Sequence, residues 1–142
     1  MVRKMATTSM AGFEEIEHTA DWSLRVWAPD LAGLLEQAAR GMLNLSGIRL
    51  VEGKRQQREL TVESTDAEGL LVNFLGELLH ILEQEGLAFD EYELTLAENA
   101  VRAKLHGAPV MARKEEIKGV TYHDLRIEQK STGLEALIVF DV

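Results

Sequence analysis

Cysteine is absent from the chain. Disulfides, thiolate metal sites and cysteine nucleophiles are therefore excluded, and a reducing compartment is compatible with the composition. Proline occurs twice, at Pro29 and Pro109, both placed where a connection is expected. The eleven glycines are scattered and form neither a dinucleotide fingerprint nor a phosphate-cradling loop. No Gly-x-Ser-x-Gly elbow is present, and the four histidines lack the spacing of a zinc protease. No apolar run approaches the ~18 residues of a membrane span. Arg3 and Lys4 are followed by no apolar stretch, so a secretory signal is not expected and a cytoplasmic protein is.

Positive charge is also scarce. Fifteen basic against 24 acidic residues leave a net charge of −9. Such a balance argues against direct binding to nucleic acid and against an anionic membrane surface. A cation or a basic protein partner remains compatible with it. What the chain does have is ordinary globular composition, 46% hydrophobic and 27% charged over 142 residues. One domain of this length buries roughly two thirds of its unfolded surface. Residues 1–12 read as a flexible, polar leader and 13–142 as the domain.

Alternation at period two predicts strands at Phe13–Glu17 and Trp22–Ala28, joined by the polar link His18-Thr19-Ala20-Asp21. Asp30 is a helix cap, and Leu31, Leu34, Leu35, Ala38, Met42 and Leu43 recur at helical spacing, ending near Gly47. A strand follows over Arg58–Ser64. The second helix opens on a capping box of Thr65 and Glu68 and carries a broad stripe from Ala67 through Leu70, Phe74 and Leu78 to Leu82. Asn73, Glu77, His80 and Gln84 line its polar face, and Gly86 closes it. Beyond it, Glu91–Leu96 and Val101–His106 form a hairpin around Glu98-Asn99. Residues 107–116 read as a polar loop, Gly119–Glu128 as a strand, and Glu135–Val142 as a central strand apolar on both faces. The sum is α+β: a single domain of two amphipathic helices on a largely antiparallel or mixed sheet of six or seven strands.

Several residues have two readings. Asp21 stands at the start of one strand and Asp141 near the end of the last. If those strands are neighbours, Asp21, Asp141 and the terminal oxygens of Val142 form a hard-oxygen set suited to Ca²⁺, Mg²⁺ or Mn²⁺. The plainer alternative is a turn cap and a solvated terminus. His123 beside Asp124 is either part of a site or a structural strand histidine. His80 and His106 read as solvated. Lys54, Arg55 and Arg58 are either a phosphate contact or an exposed loop, and Trp27 is either cross-strand packing or a partner anchor.

Four segments, in order, resemble one family. FEEIEHTADWSLRVWAPDLAGLLEQAARGM (13–42) resembles the opening of archease proteins, with their His-Thr-Ala-Asp between two strands. STDAEGLLVNFLGELLHILE (64–83) is similar to the family's second helix, and IKGVTYHDLRI (117–127) to its Lys-Ala-Val-Thr-Tyr-His strand. VFDV (139–142) resembles its C-terminal ending. Gly119 stands where the family commonly has alanine, and residues 98–116 are less distinctive.

The resemblance implies an accessory protein, not an enzyme. Archeases are partners of RtcB-type RNA ligases, which join tRNA halves and other RNA ends with GTP and Mn²⁺. They promote guanylylation of a ligase histidine, allow multiple turnovers and broaden nucleotide use. The resemblance also implies a divalent cation, calcium in the family, held by Asp21, Asp141 and the main-chain or terminal oxygens of Val142. His18 and His123 are candidates for orienting those carboxylates or facing the partner. The rival function is a metal-binding, chaperone-like modulator of RNA-processing proteins.

Overall fold

The computed structural model describes residues 10–17 and 22–142. Its first strands are β1 (Gly12–Glu17) and β2 (Trp22–Ala28), paired antiparallel along their whole length. Leu24, Val26 and Ala28 turn one face of β2 into the core. Of the expected leader, residues 1–9 lie outside the described residues and Gly12 already belongs to β1. The link over residues 18–21 also lies outside them.

Helix α1 (Leu31–Ser46) starts where local chemistry says it should. The Asp30 carboxylate accepts the Gly33 N–H at 2.8 Å, satisfying one of the amides a helix start leaves free. At the other end Gly47 is left-handed, with φ 64°, and its N–H returns to the Asn44 carbonyl. Leu34, Leu35, Ala38, Met42 and Leu45 are buried. Helix α2 (Ala67–Glu85) buries Leu70, Leu71, Phe74, Leu75 and Leu78 and ends at left-handed Gly86. Each such side chain contributes about 1.5–3 kcal/mol before entropy is counted. Asn73, Glu77, His80 and Gln84 are exposed as expected.

The cap of α2 differs from the expected capping box. Asp66, not Thr65, accepts the Gly69 N–H, at 2.7 Å. Glu68 therefore has no capping role toward Thr65. Its carboxylate reaches across to the Ile127 N–H at 2.9 Å instead.

The remaining strands are β3 (Arg49–Leu50), β4 (Gln56–Glu63), β5 (Leu87–Ala97), β6 (Ala100–Ala112), β7 (Gly119–Val120), β8 (Glu128–Lys130) and β9 (Gly133–Asp141). They form two sheets rather than one. In the first, β9 lies between β2 on one side and β7 and β8 on the other, with β1 beyond β2. In the second, β6 is the centre, flanked by β4 and β5, with β3 at its far end. Every described pairing is antiparallel. Alternation tells which face of a strand is buried but not which strand lies beside it, so the division into two sheets is invisible in the pattern.

Both helices lie between the sheets. α1 packs on β1, β2 and β9 and also on β5, while α2 packs on β4, β5, β6 and β7. One core therefore joins Leu24, Ile138 and Phe140 of the first sheet to Val62, Val101 and Leu105 of the second through Leu35, Leu71 and Phe74. None of the described helices is long and apolar enough to cross a membrane.

Two segments depart from expectation. The polar loop expected over 107–116 is ordered strand through Ala112, with Gly107 and Ala108 buried. Gly107 allows this because a Cβ there would strike the Ala88 carbonyl of the neighbouring strand. The strand expected over Gly119–Glu128 stops at Val120 and resumes only at Glu128. Between them the chain turns: Asp124 has φ 53° and the Leu125 N–H bonds the Tyr122 carbonyl. Asp is among the residues that tolerate that left-handed conformation.

Candidate functional site

Asp141 and Val142 lie at one end of the first sheet, whereas the turn that carries His123 runs along β9 away from that end. Trp22, the opening residue of β2, lies opposite Phe140 of β9. On the other side of β9, Val120 lies opposite Phe140 and Gly119 opposite Asp141. The two strands flanking Asp21 and Asp141 in sequence are thus direct neighbours, the condition on which the oxygen set depended. Asp21 and His18 themselves lie outside the described residues.

Asp141 is exposed and forms no ion pair with another described residue. Its carbonyl is occupied by the Lys118 N–H at 2.7 Å, which fixes the main chain and leaves the carboxylate unengaged by it. Val142 is half-buried, its side chain packed against the core. A hydrophobic anchor beside an exposed carboxylate holds main-chain oxygens at the sheet end without a polar side chain. Among the described residues no three histidine or carboxylate side chains form a metal-binding group. Asp141 and Val142 supply hard oxygens of the kind Ca²⁺ or Mg²⁺ takes, but only part of a coordination shell.

His123 stands on the turn after β7, not on a strand. Its ring Nε2 is 3.3 Å from the Asp124 carboxylate, and both side chains are largely exposed. The turn is tied at each end. The Thr121 N–H and hydroxyl both donate to the Val139 carbonyl at 3.0 Å, and the His123 N–H donates to the Thr121 hydroxyl. At the far end Glu68 holds the Ile127 N–H. In sequence Glu68 reads as the capping-box partner of Thr65, and nothing in the pattern signalled its partner 59 positions away. Tyr122, another residue that sequence reasoning passed over, is 59% exposed on this turn.

The basic group near β4 has an internal explanation. Arg55 pairs with Asp90 at 2.6 Å, and Arg58 pairs with Glu85. The hydrogen bond to Asp90 raises the Arg55 pKa, against the opposing effect of desolvation. These guanidiniums face carboxylates already, which favours the structural reading over a phosphate contact. Trp27 likewise packs across strands: Gly12 lies against its ring and the Arg25 guanidinium sits 4.8 Å from it. Burial opposes the charge on Arg25, but hydrogen bonds to Glu14 and Glu135 prevail and raise its pKa.

Comparison with known proteins agrees with this arrangement. The archease protein family matches residues 13–142. The archease of Pyrococcus abyssi is 36% identical over 133 residues, covering 87% of this chain and 93% of that protein. The archease of Thermococcus gammatolerans is 37% identical over the same length and the same shares of each chain. A crystal structure from Thermotoga maritima, described as an archease and possible chaperone, superposes with a TM-score of 0.69. It is 25% identical, and the match covers 91% of this chain and 96% of that one. A family match over residues 13–142, two relatives above 30% identity and a shared fold lead to one conclusion: the chain belongs to the archease family.

Proposed function

We propose that this protein is a non-catalytic activator of an RtcB-type RNA ligase in tRNA splicing and RNA repair. It promotes guanylylation of the ligase, permits multiple turnovers and broadens nucleotide use. The single observation that carries the reading is the register of β2 on β9, Trp22 opposite Phe140. It makes neighbours of the two segments that most resemble the family, one leading into β2 and one ending in Asp141.

In this reading Asp21, Asp141 and the main-chain oxygens of Val142 hold a divalent cation, calcium by resemblance, with Mg²⁺ and Mn²⁺ suited to the same donors. The cation supplies positive charge at an otherwise acidic tip. The exposed Asp141 carboxylate approaches a ligase pocket built for metals and phosphates. There it biases charge neutralisation around the incoming nucleotide. His18 and His123 orient the carboxylates or face the ligase. The protein works in the cytoplasm, and its net charge of −9 suits contact with a protein rather than with RNA.

The test is RNA ligation by the cognate ligase, with GTP and Mn²⁺ and substrate in excess. Wild-type protein converts a single turnover into many, and Asp21→Ala and Asp141→Ala do not. Unchanged turnover with the wild-type protein would overturn the reading. The chaperone-like modulator would then lead, in line with the description of the Thermotoga maritima relative as a possible chaperone, and capture of RNA-processing proteins without a ligase would support it.

A further inference from the structure

We propose that the free edge of β5 over Tyr92–Leu96 is a docking strand, and that its partner is an extended protein segment alternating basic and apolar residues. The site belongs to the second sheet, so it goes beyond the activator reading and does not rest on it. Register sets which backbone groups are available. In an antiparallel pair alternate residues bond the partner strand and the others point away. The Val110 N–H donates to the Gly86 carbonyl, so the even-numbered residues of β6 face β5. Past the bulge at Asp90, His106, Lys104 and Arg102 stand opposite Glu91, Glu93 and Thr95. The N–H and C=O groups of Tyr92, Leu94 and Leu96 therefore point away from β6, and no strand among the described residues pairs with them.

The other long edge of this sheet, β4, is capped at both ends. The Ser64 N–H donates inward to the Asn99 carbonyl, so by the same alternation the carbonyls of Gln57 and Glu63 point outward. The Arg58 guanidinium donates to the first and the Asn73 side-chain amide to the second, each at 3.0 Å. Side chains that occupy an edge in this way hinder strand addition. On β5 the equivalent caps stop short of the open stretch: the Tyr92 hydroxyl takes the Phe89 carbonyl and Arg40 takes that of Asp90. Beyond them the inward residues are apolar and incompletely covered, Leu94 half-buried and Leu96 37% exposed.

Charge identifies the occupant. On the solvent face of the sheet Lys104 lies between Glu59 of β4 and Glu93 of β5, and His106 lies opposite Glu91. Acidic, basic and acidic rows thus succeed one another, and a strand added beyond β5 meets Glu91 and Glu93. Opposite charges across strands favour pairing and like charges oppose it. A second copy offers β1, β4 or β5 as its longer edges, and each carries glutamates. A segment with lysine or arginine toward solvent and aliphatic residues toward Leu94 and Leu96 satisfies both faces, while its main chain takes the open N–H and C=O groups.

The test uses the whole protein and two short synthetic peptides, one alternating lysine with valine and one alternating glutamate with valine. With the lysine peptide, hydrogen exchange at the Tyr92, Leu94 and Leu96 amides slows about tenfold or more. The glutamate peptide leaves all three unchanged. Replacing both acids, Glu91→Gln with Glu93→Gln, raises the dissociation constant of the lysine peptide about fivefold. Leu96→Pro removes an N–H that β6 does not use, so it keeps the melting temperature within a few degrees and weakens binding about tenfold. Should that variant fail to fold, the glutamine pair still decides the matter. The docking edge is wrong if the lysine peptide binds without protecting these amides, if it protects Glu59 and Thr61 of β4 instead, or if the glutamate peptide protects equally. Protection that rises with protein concentration in the absence of peptide assigns the edge to a second copy and also overturns the proposal. No ligase enters the experiment, so failure of the activation test leaves the docking edge standing, and its own failure leaves the activator reading standing.

Discussion

Tyr92 hides a hydroxyl between charges. Its O–H donates to the Phe89 carbonyl and the Arg40 guanidinium lies 5.1 Å from its ring. Burial pushes its pKa up; Arg40 opposes that, while Asp90 and Glu36 reinforce it. A tyrosine whose folded pKa lies above the unfolded value of about 10 adds stability that is complete below pH 10. That contribution is lost as pH climbs toward the folded value. Tyr92→Phe should cost about 1 kcal/mol at pH 7 through the lost hydrogen bond. It should also decline less steeply than wild type between pH 9.5 and 11. Urea titrations across that range check both, and parallel declines would contradict the assignment.

Two glycines make a sharper residue-level contrast. Gly107 has the Ala88 carbonyl where a Cβ would go, and backbone cannot swing aside as a side-chain tip can. Gly107→Ala should destabilise by about 1–3 kcal/mol. Gly76, exposed inside α2 with open space at its Cβ position, should gain up to about 1 kcal/mol as alanine. Thermal melts of the pair test whether proximity to backbone, and not glycine as such, sets the sign.

At the scale of elements, both helices were legible because their signals are local. Asp30, Gly47, Asp66 and Gly86 act within a turn of where they stand. Even so, the choice of cap for α2 turned on a single position. Asp66→Ala should lose about 1 kcal/mol, and Thr65→Ala, exposed and outside the cap hydrogen bond, close to nothing. The reverse ranking in denaturant titrations would restore the capping box.

What the pattern did not carry was long-range. The sequence reading made Gly119–Glu128 a strand, yet a left-handed Asp124 and ties to Val139 and Glu68 make its middle a turn. Apolar residues there anchor a loop rather than line a sheet face. The extension of β6 past Gly107 depended on a close approach to β5 that no spacing reveals. Of the candidate site, the sequence named Asp141 and left the adjacency of its strand to the strand after Asp21 as a condition, which the register of β2 on β9 meets. The display of His123 on a pinned turn did not.

At the scale of the whole molecule, two sheets clasp two helices in one core, and that core holds the working end by its margins. Phe140 is buried while Asp141 next to it is exposed. Alternation at the end of a central strand thus fastens the chain through one residue and presents a carboxylate through the next. The net charge of −9 disfavours RNA contact, so in the proposed function the RNA belongs to the ligase and the charged tip to this protein.

The most direct measurement of that claim is guanylylation of the ligase itself after its first round of ligation. Labelled GTP, Mn²⁺ and the cognate ligase would be combined with wild-type protein or with Asp141→Asn, which removes the charge at nearly constant shape. The account predicts repeated formation of the ligase–guanylate adduct with the wild-type protein and a return to a single round with Asp141→Asn, whose melting temperature stays within a few degrees of wild type. Equal adduct formation with and without the wild-type protein would contradict it.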